Sequence, residues 1–281
     1  MALRLPRRMF MLAACAYTQT VIAQGPTTPL RVGVFPTVSP AQLLTNYQPF
    51  RSYLARELGR PVEIFTAKDF PSFHRDTLAG SFDLVLTAAH LARLAQRDAG
   101  WLPLAHYTED NRATLLTSKS QPITAPKDLA GRKVAVANRT ALVVIIALHW
   151  LAEKGLRPGR DFEILGVPTF SAAAHAVQSG EAALGIVSTA TLKQVPPSVA
   201  AGVQVFQELP SIPYTWAIAP ALHAEGPRVR EVLVRFTDQL PEGKKFYDAT
   251  NHGAIEPMSE EFLRSIDPYV DETRRLVQPA R

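Results

Sequence analysis

The chain has 281 residues, enough for two α/β units, with 47% hydrophobic and 20% charged residues, the balance of a soluble globular protein. Its formal net charge is +5, of which Arg4, Arg7 and Arg8 supply three, leaving +2 for the rest; no run of Lys and Arg is interleaved with aromatics, so nucleic acid is not an expected partner. The only cysteine is Cys15, which excludes disulfides, zinc–thiolate sites and a cysteine nucleophile from everything after it.

Residues 1–23 read as a secretory signal peptide: a basic start, an apolar core from Met9 to Tyr17, and Val21-Ile22-Ala23 ahead of a cleavage before Gln24. Arg7-Arg8-Met9-Phe10-Met11 resembles a twin-arginine export motif. Leu12-Ala13-Ala14-Cys15 resembles a lipobox, which would place a lipid anchor on Cys15, although the short apolar run before it favours simple cleavage near Ala23. The expected destination is the periplasm. No later stretch approaches the roughly 20 apolar residues of a membrane span.

Leu30 to Phe35 is a short apolar run ending at Pro36 and predicts a first strand. Residues 37–41 are expected as a loop. Phe50, Tyr53, Leu54 and Leu58 recur at helical spacing and predict a helix from Tyr47 to Leu58, stopped by Gly59. A strand (Val62 to Thr66), a helix (Pro71 to Ala79), a strand (Asp83 to Thr87), a helix (Ala89 to Gln96) and a strand (Leu102 to Tyr107) follow. Ala113 to Ser118 reads as a strand leaving this unit.

A second unit repeats the alternation. Strands are predicted at Lys133 to Ala137, Phe162 to Gly166, Leu184 to Val187 and Val203 to Phe206. Helices fall at Thr140 to Glu153, at Ser171 to Gln178 and, following the strand that ends at Val187, to about Gln194. Tyr214 to Ala219 reads as a return strand, and the tail from Arg228 as helices broken at Pro241, Pro257 and Pro268. The expectation is an α/β chain in two lobes, residues 30–113 with 217–281 and an inserted 114–216. Two mostly parallel sheets would be joined by two crossing strands, with a ligand cleft at the strands' carboxyl ends. Neither a GxxxxGK[ST] phosphate loop nor a GxGxxG fingerprint is present.

The segment order resembles the phosphate/phosphite/phosphonate family of ABC-importer solute-binding proteins. Val34-Phe35-Pro36-Thr37-Val38-Ser39-Pro40 is similar to its first strand and pocket loop, and Tyr47-Gln48-Pro49-Phe50 through Leu58-Gly59 to its first helix. Leu78-Ala79-Gly80-Ser81-Phe82-Asp83-Leu84, Lys127-Asp128-Leu129-Ala130-Gly131-Arg132-Lys133 and Ala176-Val177-Gln178-Ser179-Gly180-Glu181-Ala182 match three further motifs, the last with Ala183 in place of an aspartate. The resemblance implies the type II periplasmic-binding fold. It also implies capture of a small phosphonate-, phosphite- or phosphate-like anion by hinge closure, a membrane permease partner, a monomer, and no cofactor, metal or catalysis.

Where phosphonate-binding members carry Ser-Thr-Ser-Gly, this chain has Asn138-Arg139-Thr140-Ala141-Leu142. Thr140 keeps a hydroxyl and Arg139 adds a cation at a helix start, a natural anion site; the alternative is that Asn138 caps the helix and Arg139 points to solvent. Thr37, Ser39 and Thr87 are placed at the cleft by position, and Tyr214 and Trp216 in the last loop either enclose a ligand or pack the hinge strands. Phe170 stands where the family has a histidine, and the acids that hold an amino group have no match. His90 is expected in an exposed first turn. This residue set suits an oxyanion, and equally a small aromatic or carboxylated metabolite. Two other functions remain open: a ligand-sensing receptor for a sensor kinase, and a pyrimidine-related enzyme on the same fold, against which the seven histidines show no metal spacing.

Overall fold

A computed structural model describes residues 28–108, 111–211, 213–250 and 252–277. The signal peptide, its Arg-Arg pair and Cys15 lie outside the described residues. No described helix is long and apolar enough to cross a membrane.

The first lobe opens with β1 (Leu30–Val34), α1 (Pro40–Leu58), β2 (Val62–Phe65), α2 (Phe70–Leu78), β3 (Leu84–Ala88), α3 (Ala89–Ala99) and β4 (Leu102–Tyr107). The second holds β5 (Arg112–Ser118), β6 (Lys133–Val136), α4 (Leu142–Glu153), β7 (Glu163–Gly166), α5 (Phe170–Gln178), β8 (Leu184–Ser188), α6 (Thr189–Leu192), α7 (Pro197–Gly202) and β9 (Val203–Ser211). The chain returns to the first through β10 (Tyr214–Ile218), α8 (Gly226–Arg235), α9 (Pro241–Thr250), β11 (Ile255–Pro257) and α10 (Glu260–Val277).

Each lobe is built on one mixed sheet, in the orders β11-β4-β10-β3-β1-β2 and β7-β6-β8-β5-β9. The predicted parallel strands form the inner sets, β2-β1-β3 and β7-β6-β8. The crossing strands join antiparallel: β10 inserts between β3 and β4, while β5 lies between β8 and β9. Tyr214 to Trp216, which the sequence reading gave to the inserted lobe, therefore pair in the first sheet, and Arg112 and Ala113 pair in the second.

Both faces of the first sheet are covered, which is why β3 is buried throughout. Leu84 and Leu86 face a core with Phe50, Trp216, Phe236 and Phe246. Val85 and Ala88 face another with Phe73, Leu91 and Leu94. In the second lobe α4 covers one face and α5 the other. At Gly185 in β8 a Cβ would lie 2.9 Å from the Ala173 carbonyl oxygen, so only glycine lets α5 pack directly on that strand.

Several elements differ from the sequence reading, among them the helix α7, which it lacked, and β9, which runs on to Ser211. α1 begins at Pro40, because Ser39 Oγ accepts the Gln42 N–H at 3.4 Å and Pro40 takes the first helical position. The tail contains the short strand β11, and α10 runs unbroken through Pro268. Packing holds α10 on both lobes. Ile266 joins the core of Leu142, Ile146 and Ala147, Val270 joins that of Leu91 and Leu94, and Asp267 pairs with Arg93 at 2.7 Å and Arg97 at 2.9 Å.

Candidate functional site

A chamber of about 90 Å³ lies between the lobes. The first lobe contributes Phe35 after β1, Phe70 at the start of α2, Ala88 at the end of β3 and Tyr214 at the start of β10. The second contributes Ala141, Leu142 and Val143 at the start of α4, Phe170 at the start of α5 and Ser188 at the end of β8; Asn111 lies at the β4–β5 crossover. The chamber thus collects carboxyl ends of strands and first turns of helices, where N–H groups have no intrahelical acceptor and the dipole favours an anion.

The aromatic rings dominate its wall. Phe35 and Phe70 lie 4.0 Å apart between centroids, and Phe35 and Tyr214 6.1 Å apart. Phe70 and Phe170 occupy equivalent places in the two lobes, each the first residue of a helix whose cap is an oxygen side chain. Asp69 accepts the Ser72 N–H at 2.8 Å and Thr169 accepts the Ala172 N–H at 3.1 Å. That repeated pattern, an aromatic directly after a capping residue, is the signal in the sequence that marks both rings. The chamber opens into a vestibule of about 490 Å³ lined by Thr37, Thr191, Lys193, Gln194, Thr250 and His252 among others.

The residues singled out from sequence disperse. Tyr214 lines both spaces and Thr37 the vestibule. Asn138 and Thr140 border a shallow recess with Lys68, Asp69 and Phe70. There Asn138 Oδ1 accepts both the Thr140 N–H at 2.9 Å and its hydroxyl at 2.8 Å, so neither donor is left for a ligand. The cap position of α4 belongs to Ala141, not to Asn138. Arg139 faces a separate groove with His149, Arg157 and Arg275, away from the chamber. Ser39 is used as the α1 cap. Thr87 is buried, and its hydroxyl, like that of its cross-strand partner Thr215, has no hydrogen-bond partner. Trp216 is fully buried and stacks on Phe50 at 5.0 Å, which assigns it to packing.

His90 corrects the expectation of an exposed first turn. It is fully buried, and its Nε2 lies 3.1 Å from the Thr140 carbonyl oxygen of the other lobe. A carbonyl only accepts, so Nε2 carries the proton and donates. Nδ1 is left buried without a partner, as is Nε2 of His74. Burial lowers the pKa of both histidines to about 4, with the Thr140 contact opposing it at His90 and Asp98 opposing it at His74. Both rings are therefore neutral at pH 7. Among the described residues no group of three or more His, Cys, Asp or Glu is placed to hold a metal ion.

A family model described as ABC transporter, phosphonate, periplasmic substrate-binding protein matches residues 32–262. Among solved structures, XAC2383 from Xanthomonas citri bound to chloride is similar, with 18% identity and a TM-score of 0.74 over 87% of this chain and 98% of that one. PhnD1 from Prochlorococcus marinus in complex with methylphosphonate gives 14% identity and 0.72 over 88% and 98%. The periplasmic aliphatic sulphonate binding protein SsuA from Escherichia coli gives 18% and 0.63 over 90% and 94%. At these identities the likeness speaks for the fold, and the ligands named are those of the other proteins.

Proposed function

The chain belongs to the phosphonate family of ABC-transporter periplasmic substrate-binding proteins, a family of binding proteins rather than enzymes, and from that premise we propose that it captures a small anion by closing its two lobes. Membership implies a periplasmic protein that takes a small molecule and delivers it to a membrane permease. The observation that carries the finer reading is the chamber itself, whose walls come from both lobes at strand ends and helix starts. A ligand there touches both lobes at once and so binds the closed arrangement better than an open one, which is the condition for ligand-driven closure.

The His90 to Thr140 hydrogen bond and the α10 contacts join the lobes beside the chamber. The lobes are joined by two crossovers, from β4 to β5 and from β9 to β10. A monomer suffices for this mechanism, since one chain supplies both walls.

The test is a thermal-shift screen of the exported chain from Gln24 onward against phosphate, phosphite, phosphonates, sulfonates, small carboxylates and pyrimidines. A ligand at a hundred times its Kd stabilises the fold by about 2.7 kcal/mol. Phosphorus oxyanions are the class that family membership puts first. Stabilisation by one class of anion supports the reading; stabilisation only by neutral compounds contradicts it.

A further inference from the structure

Resting on the reading of small-anion capture, we infer that the ligand is a monoanionic organic acid with a compact apolar tail, the tail inserted among Phe35, Phe70, Phe170 and Tyr214 and the charged head turned outward to Lys193. The chamber is built for carbon. Its volume is about 90 Å³, small beside the vestibule of about 490 Å³. Four aromatic rings line it, and no Lys or Arg is among its described lining residues.

Asn111 offers an uncharged side-chain amide to the chamber, with its buried Oδ1 unpartnered, while the neighbouring hydroxyls make contacts within the protein. Thr140 gives its N–H and its hydroxyl to Asn138. Ser188 Oγ accepts the Thr191 N–H at 3.1 Å and lies 3.0 Å from the Thr191 hydroxyl. Arg139 faces the groove behind α4. First-turn N–H groups remain and favour negative charge, but no charged side chain stands beside them in the described lining. A dianion stripped of water demands charge-assisted donors on several sides, and these are missing.

The vestibule is different in kind. Thr37, Thr191 and Gln194 make it polar, Lys193 of the second lobe and His252 of the first face into it, and no described carboxylate lines it. One ammonium balances one negative charge. A ligand with its tail in the chamber and its head at the mouth loses water from carbon while its charge keeps partial hydration and a cation. Phe170, which stands where phosphonate-binding relatives are expected to carry a polar histidine, is the residue that converts the inner end to an apolar one.

The test is isothermal titration of the exported chain at pH 9, where phosphate and propylphosphonate are mainly dianions, with ligands that separate tail from head: butyrate, propanesulfonate, propylphosphonate, acetate, inorganic phosphate and 1-butanol. Butyrate or propanesulfonate should bind at least tenfold tighter than acetate, phosphate and propylphosphonate. Phe170→Ala should weaken the tailed acids about tenfold. Lys193→Met, at an exposed position that does not threaten the fold, should weaken them several-fold and flatten their salt dependence. Phosphate or propylphosphonate binding as tightly as the tailed monoanions would overturn this inference while leaving anion capture intact. Binding of 1-butanol as tight as that of butyrate would remove the anion reading itself, and this inference with it.

Discussion

At position 140 the family likeness and the geometry part company. The sequence shows a threonine at a helix start, the right residue type for an anion site. It does not show that Asn138, two residues earlier, takes both of its donors. Arg139 was legible as a cation near the site but not as one turned to the far side of α4, because direction at a loop-to-helix junction is set by backbone geometry rather than by residue type. Arg139→Ala is therefore expected to leave ligand affinity within about twofold, measured by titration; a tenfold loss would place the guanidinium at the ligand after all. His90 differs for a related reason: a histidine at a helix start is usually solvated, and here the ring is buried with the Thr140 carbonyl of the other lobe against it.

The two buried histidines also set a pH dependence. Their pKa values fall from the ordinary 6.5 to about 4 on folding, so the unfolded chain binds more protons throughout that interval. Stability is complete above pH 6.5 and declines as the pH drops toward 4, by up to about 1.4 kcal/mol per pH unit for each ring. Thermal melts between pH 7.5 and 4.5 should show the fall, and His74→Gln or His90→Gln should lessen its slope. An unchanged melting temperature down to pH 4.5 would contradict the neutral, buried assignment.

Among the elements, the strands and helices of both alternating units were legible because their apolar runs are bounded by Gly and Pro at helix and strand ends. The tail was less so. Pro257 and Pro268 signal breaks, yet Pro257 ends β11 and Pro268 sits inside α10, whose Ile266, Val270 and Val277 keep their burial across it. Here tertiary packing outweighs the local cost of the missing N–H. Ile266→Ala removes the residue through which α10 enters the second lobe's core and should cost about 2 to 4 kcal/mol of stability by denaturant titration. Gly185→Val tests the seat of α5. Its side chain would collide with Ala173 and Val177, pushing Phe170 out of place, at an expected cost of about 1 to 3 kcal/mol together with loss of ligand affinity. Full affinity in a folded Gly185→Val protein would show that the position of α5 does not matter to the site.

For the whole molecule, the insertion of one α/β unit into another was visible as a repeated order of segments, and with it the location of the cleft. The contents of the cleft were not. Phe35, Phe70 and Phe170 each look like ordinary core residues in sequence, and only the meeting of two lobes turns them into one aromatic chamber. The central claim is that this chamber closes on a small anion. Small-angle X-ray scattering of the exported chain, with and without the anion that most raises its melting temperature, tests that claim most directly. Closure predicts a smaller radius of gyration and a shorter maximum dimension in the bound protein; superimposable curves at saturating ligand would contradict it.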